Sequence, residues 1–219
     1  MIDLHTHSIF SDGELVPAEL VRRAESIGYR AIAITDHMDS SNMDFIVPRI
    51  VRIAEELNRV QPVKVIPGAE LTHINPELIP EKIAYARQLG AKIVVVHGET
   101  LVEPVKEGTN RAAIDGKADI LAHPGLITEE EVRLAAQKGI ALEITARKGH
   151  SLANGHVARL AVKYNAPLVI NTDAHSPDDL ITRAFAKKVL LASGLDKELV
   201  KDVFLNAEKL IKSETLVSY

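Results

Sequence analysis

Apolar residues in this chain fall into short runs, separated by longer stretches in which they recur every three or four positions. The short runs are Ile2 to His5, Ala31 to Thr35, Val63 to Pro67, Lys92 to His97, Asp119 to His123, Ala141 to Thr145 and Pro167 to Asn171. Each is too short and too apolar for an amphipathic surface helix and reads as a buried strand. The stretches between them, Pro17 to Ile27, Asp44 to Arg59, Pro80 to Leu89, Thr128 to Lys138 and Gly155 to Asn165, carry helical spacing. Pro17 suits a first helical turn, and Gly28, Gly90 and Gly139 suit C-terminal stops. This alternation predicts a parallel sheet. Periodicity does not decide whether the sheet closes, but polar residues follow nearly every strand, and barrel sites collect at the C-terminal ends of strands. The expectation is therefore an α/β barrel. Beyond Asp178 the pattern is helical, over Asp179 to Ser193 and Lys197 to Ile211, and these segments are expected to wrap the outside. With no linker-like or low-complexity tract, residues 1–219 read as one domain.

Composition narrows the partners. The chain has 30 acidic and 26 basic residues, a net charge of −4, which argues against a broad nucleic-acid or membrane surface. The N-terminus, Met1 to His5, lacks a basic region followed by an apolar stretch, and no run approaches the roughly 18 apolar residues of a membrane span. The expected location is the cytoplasm. There is no cysteine, so no disulfide and no thiolate site exist, and any metal must be held by nitrogen and oxygen.

The candidate chemistry sits at strand ends. His5 and His7 flank Thr6, with Asp12 soon after; Asp36-His37, Glu70, His97, His123 and Asp173-Ala174-His175 each close or follow a later run. In an extended strand residues two apart point the same way, so His5 and His7 can face one centre. A barrel brings the other ends into the same mouth. Imidazole and carboxylate donors suit Zn, Mn or Fe. Several such cations at close spacing would activate a water and neutralise a phosphoryl oxygen, which suits hydrolysis of a phosphate ester.

The ordered set Asp3-Leu4-His5-Thr6-His7-Ser8, Ser11-Asp12-Gly13, Ile34-Thr35-Asp36-His37, Gly68-Ala69-Glu70, Val96-His97, Ala122-His123-Pro124 and Asn171-Thr172-Asp173-Ala174-His175 resembles the motifs of the polymerase and histidinol phosphatase (PHP) family. The resemblance spans Asp3 to His175. It implies a distorted (β/α)7 TIM-like barrel holding two or three divalent transition-metal ions. By resemblance His5, His7, Glu70 and Asp173 hold the first and form the catalytic set, Glu70 bridges to a second shared with His97 and His123, and Asp12, His37 and His175 hold a third. Some relatives carry His near the place of Asp12, which leaves the third position the most variable.

A phosphate must also meet positive charge. Arg111, and Arg147 with Lys148 and His150, follow strands or their loops and are expected to face the mouth, since the guanidinium fork matches phosphate oxygens. His150 and His156 are candidates to contact substrate or donate a proton to the leaving oxygen and read equally as helix-capping or surface groups; His73 is a candidate for substrate contact that also reads as an ordinary satisfied histidine. Glu143 stands inside an apolar strand and must be paired or used, against Arg147 or a histidine ligand. Asp3 and Asp36 read as groups that fix an imidazole tautomer. Three functions compete: a metal-dependent phosphoesterase using a metal-activated water on a small phosphomonoester, such as histidinol phosphate or a nucleotide-like ester; a nuclease or proofreading phosphodiesterase; and a non-catalytic barrel subunit of an RNA-processing complex. The second is weakened by the four Phe, four Tyr and absent Trp available for base stacking. The third is expected to lose ligands that this chain keeps. Nothing in the pattern fixes an oligomeric state.

Overall fold

A computed structural model describes residues 1–213; positions 214–219 of the single-domain reading lie outside the described residues. The main sheet runs through β1 (Ile2–Asp3), β2 (Ala31–Ile34), β4 (Lys64–Leu71), β5 (Ile93–His97), β6 (Ile120–Ala122), β7 (Ala141–Thr145) and β8 (Leu168–Asn171), every pair parallel, with the short β3 (His37–Met38) branching from β4. The ring closes beyond the ends of β1 and β8. There Asp173 N donates to His5 O at 2.9 Å, His7 N donates to Ala174 O at 2.9 Å, and Thr6 bridges Ala174 in parallel. Lower down, β1 and β8 form no backbone ladder and are linked through side chains: Leu4 N donates to the Asn171 side chain, and Thr172 N to Asp3. The result is a distorted (β/α)7 TIM-like barrel whose closing seam carries three of the expected ligands, His5, His7 and Asp173.

The helices are α1 (Pro17–Ser26), α2 (Met43–Leu57), α3 (Ile79–Gln88), α4 (Thr109–Asp115), α5 (Glu129–Lys138), α6 (Asn154–Tyr164), α7 (Arg183–Ala192) and α8 (Lys197–Ser213). Their buried faces form a large shell core with the outward residues of the strands, whereas Ile2, Leu4, Ala31, Ala33, Ile66, Ile93, Val95, Ile120, Ala122, Ala141 and Val169 fill the barrel interior. Helix α8 does more than wrap the outside. Ala207 joins the interior cluster, and Asn206 donates to Leu168 O at 3.0 Å, so the helix closes the barrel at the start of β8.

Three elements depart from the sequence pattern. Strand β4 continues past Pro67 to Leu71, pairing with β2 up to Pro67 and with β5 from Gly68 onward. A proline, which has no N–H to donate, thus stands where the strand changes partners. Strand β3 and helix α4 were not apparent, being two and seven residues long with too little length for a period to show. No helix among the described residues is long and apolar enough to cross a membrane.

Candidate metal centre

The period of two that fills the barrel also delivers polar groups to its mouth. Glu70 lies four residues beyond Ile66, and His97 and Glu143 two beyond Val95 and Ala141, so all three continue inward-facing rows. His123 follows the interior Ala122 directly and would face away. Its backbone φ of 27° turns it back, and Asp173 likewise sits at φ 53°. Left-handed backbone at a non-glycine residue costs on the order of 1–3 kcal/mol and collects at functional sites. Glycine allows the close approach beside them: a Cβ on Gly98 would lie 2.3 Å from Ala122 O and 2.8 Å from Pro124 Cα.

All nine expected ligands converge. Glu70 is fully buried, with Oε1 3.1 Å from His5 Nε2 and Oε2 2.6 Å from His37 Nδ1. Asp173 Oδ1 lies 3.1 Å from His7 Nε2, and its Oδ2 3.6 Å from His123 Nε2. Asp12 Oδ1 faces His175 Nε2 at 3.2 Å and His37 Nε2 at 3.5 Å. Donor atoms group within 4.8 Å of one another as His5, His7 and Glu70; as His5, His123 and Asp173; as His7, Asp12, His37 and His175; and as His97, His123 and His150.

The rings are aimed by their other nitrogens. His5 Nδ1 donates to Glu143 Oε1 at 2.9 Å, His175 Nδ1 to Asp173 O at 2.9 Å, and His97 Nδ1 to Gly98 O at 3.2 Å, which leaves each Nε2 turned to the centre. Such outer contacts fix the tautomer of a metal-ligating histidine. Among the described residues, the buried atoms His5 Nε2, His7 Nδ1 and Nε2, Glu70 Oε1, His123 Nδ1 and Nε2, and Asp173 Oδ1 have no well-directed hydrogen bond, even where Glu70 Oε1 and Asp173 Oδ1 approach His5 and His7 at 3.1 Å. Burying an unpaired polar atom costs on the order of 1–3 kcal/mol. With one nitrogen from each ring, the five side chains His5, His7, Glu70, His123 and Asp173 each turn a donor atom into one small space, which fits cations that accept their lone pairs.

The same crowding governs protonation. Burial disfavours charge on His37, but Glu70 outweighs it and lifts the pKa to about 9; on His5, burial is likewise outweighed by Glu70, Glu143 and Asp173, and the pKa rises well above the ordinary value. Burial, aided by Glu70 and Glu143, pushes Asp173 up to about 7. Burial together with neighbouring imidazoles holds His7 and His123 well below the usual histidine range. A cation binds the neutral imidazole, so protons on His5 and His37 compete with it. Adding Zn or Mn to metal-free protein at neutral pH is therefore expected to release protons, and apparent affinity to rise as the pH approaches about 9. Titration calorimetry in buffers of different ionisation enthalpy measures this; a heat independent of the buffer contradicts it.

Several expectations are corrected. Arg111 does not face the mouth: its guanidinium pairs with Asp115 at 2.8 Å and Glu130 at 3.0 Å on the α4–α5 surface. His156 is tied at 2.8 Å to Ile127 O, on α6. Asp3 and Asp36 bind no imidazole; Asp3 accepts from Thr172 and the His5 backbone, and Asp36 from Ser8 and Ser11, so they shape the ligand loops instead. Glu143 supports His5 and the His123 N–H and has no contact with Arg147. Arg147 does lie at the mouth, its Nη1 donating to Asp173 O at 3.3 Å and Asp179 Oδ2 at 3.2 Å, while Lys148 is exposed. His73 stands at the rim in left-handed backbone, 3.4 Å from Glu103.

Glu103 was missed. One carboxylate reaches His97 at 3.1 Å, His150 at 3.3 Å and His73 at 3.4 Å. Its hydrogen bond with His97 and the fields of His97 and His150 outweigh burial and lower its pKa to about 2. No periodicity or motif marked it, because it lies on an irregular loop.

The PHP-domain family profile matches residues 3–165. The chain belongs to the PHP family. A protein of Methanocaldococcus jannaschii is 50% identical over 94% of this chain and 96% of its own length. A protein of Syntrophotalea carbinolica named a probable phosphatase is 25% identical over 91% of this chain and 90% of its own. Among solved structures, a subunit in an archaeal ribonuclease P complex with mature tRNA superposes with a TM-score of 0.76 at 19% identity, covering 98% of this PHP chain and 92% of that one. The Lactococcus lactis histidinol phosphate phosphatase, solved with zinc, L-histidinol and phosphate, superposes with a TM-score of 0.62 at 18% identity, covering 89% and 94%.

Proposed function

We propose that this PHP protein is a metal-dependent phosphoesterase acting on a small phosphomonoester, histidinol phosphate or a nucleotide-like ester. The observation that carries the reading is the set of five buried side chains, His5, His7, Glu70, His123 and Asp173, that turn unpartnered donor atoms toward one another. His5, His7, Glu70 and Asp173 would hold one cation, Glu70 with His97 and His123 a second, and Asp12, His37 and His175 a third, as two or three Zn, Mn or Fe ions. Bound cations supply an activated water and neutralise phosphoryl oxygens. The protein's own part is positioning. Glu143 holds the His5 ring, the seam hydrogen bonds hold the His7 and Asp173 backbones, and Arg147 presents a cationic fork beside Asp173 for the phosphate. Lys148 and His73 at the rim are the further candidates for substrate contact, whereas His150, expected to contact substrate, is buried beside His97 and His123. The full-length relative named as a phosphatase supports this class.

Similarity to a ribonuclease P subunit favours a second reading, a barrel that serves as a scaffold in an RNA-processing complex. Against it stand the nine retained ligand positions and the left-handed backbone at His123 and Asp173, a cost that a scaffold has no use for. A polymer-cutting nuclease is disfavoured by the net charge of −4. The test is phosphate release from histidinol phosphate, nucleoside monophosphates, nucleotide 3′,5′-bisphosphates and a chromogenic ester, with Mn or Zn, with chelator, and with Asp173→Asn. Release that needs metal and disappears in the variant is expected. No release from any ester by protein carrying stoichiometric metal overturns the proposal in favour of the nuclease or scaffold.

A further inference from the structure

His150 and Glu103 lie outside the nine-residue set, yet they stand against its second cation position. One donor nitrogen from each of His97, His123 and His150 lies within 4.8 Å of the others. The His123 and His150 rings are 4.2 Å apart, and His97 and His123 4.5 Å apart. His123 is 3% exposed and neither of its ring nitrogens has a partner. The other two rings are turned toward it by the atoms behind them: Gly98 O accepts from His97 Nδ1, and the Thr100 hydroxyl meets His150 Nδ1 at 2.7 Å. Both Nε2 atoms then face Glu103, whose Oε2 lies 3.1 Å from His97 and whose Oε1 lies 3.3 Å from His150. The loops carrying these two residues support each other, since Val102 sits beside Gly149.

We infer that the second cation of this protein, shared with Glu70, is held by three imidazoles, His97, His123 and His150, with Glu103 as an additional carboxylate donor from the β5 loop. The inference rests on the reading of the centre as a metal site and deepens it. Three nitrogens and few carboxylates favour Zn over Mn, because imidazole is a good ligand for zinc whereas oxygen donors suit manganese. The His5–His7–Glu70–Asp173 position has one imidazole fewer and discriminates less. Glu103 is half-exposed, so its carboxylate can leave the cation when a phosphate oxygen arrives.

The measurement is the number and identity of bound cations by elemental analysis after equilibration with mixed Zn and Mn, together with the visible absorption of the cobalt-substituted protein. His150→Leu keeps an apolar volume in a buried place; Glu103→Gln removes only the charge from a half-exposed one; His156→Gln controls for loss of any histidine. Expected are a loss of about one cation per chain in His150→Leu, a Zn-over-Mn preference reduced by ~10–100-fold in either variant, an altered cobalt spectrum in both, and no change in His156→Gln. Unchanged stoichiometry, preference and spectrum in Glu103→Gln and His150→Leu, with cations bound to the wild type, overturn this assignment alone. A wild-type protein that binds no cation overturns it together with the proposed phosphoesterase.

Discussion

Glu70→Gln is expected to lower metal-dependent phosphate release by on the order of 10³-fold or more while the protein still folds. The amide keeps the volume of a fully buried side chain. It removes the negative charge that faces His5 at 3.1 Å, His37 at 2.6 Å, His7 at 3.7 Å and His123 at 3.9 Å. Among the described residues no other carboxylate comes within 4 Å of all four of these rings, so its loss disconnects cation positions that share it. Charge stabilisation by metal at a phosphoryl centre is worth several kcal/mol, and each 1.36 kcal/mol is about tenfold in rate. A second readout comes from protonation. Glu70 is the main group raising the His37 pKa to about 9, so in metal-free Glu70→Gln that pKa is expected to fall, and His37 to lose its proton at a lower pH. Histidine NMR titration follows this directly. Full turnover with an unchanged His37 titration would falsify the bridging role.

That the candidate ligands would meet was legible because barrel topology turns strand ends into neighbours, whereas their grouping around particular cations came from the family resemblance. Once seven parallel strands are read, Glu70, His97 and Asp173 need no further information to meet, although 103 positions separate Glu70 from Asp173 in the chain. Two kinds of feature were not legible. Glu103 and Thr100 lie on an irregular loop after β5, where no period relates sequence position to direction, so their contacts with His97 and His150 come only from tertiary packing. The cations expected at the phosphate were misjudged for a related reason. Arg111 follows a strand loop as expected, but α4, too short to be seen, turns it toward Asp115 and Glu130. His156 sits at the start of α6, where its ring meets the Ile127 carbonyl rather than the mouth. Burial, unlike direction, was readable: an acid inside Leu142-Glu143-Ile144 had to be paired, and its partners are the His5 ring, the His123 N–H and Asn171 at the candidate metal centre.

Those partners make Glu143→Ala the variant expected to cost most in stability. Glu143 is fully buried; Oε1 accepts from His5 Nδ1 at 2.9 Å and from Asn171 Nδ2 at 2.8 Å, and Oε2 from the His123 N–H at 3.1 Å. Truncation strands three buried donors and opens a cavity. Each stranded donor costs about 1–3 kcal/mol, and only partly relaxes, so a total loss of ~3–5 kcal/mol is expected. That is a large fraction of the stability of an ordinary domain. The defect also propagates to the metal. Without Glu143 the His5 ring has nothing to fix its tautomer, and the His123 backbone loses the bond that helps hold φ at 27°. Cation affinity is therefore expected to fall by ~10–100-fold. Glu143→Gln separates the two effects. Its amide oxygen can still accept from His5 and Asn171 while its NH2 group faces the His123 N–H, so only part of the stability should return, whereas the missing charge leaves His5 a weaker ligand and the affinity stays low. Chemical denaturation with and without Zn, together with competition against a chelator, measures both. A Glu143→Ala protein as stable as the wild type, with undiminished Zn affinity, would show that this buried carboxylate does not support the centre.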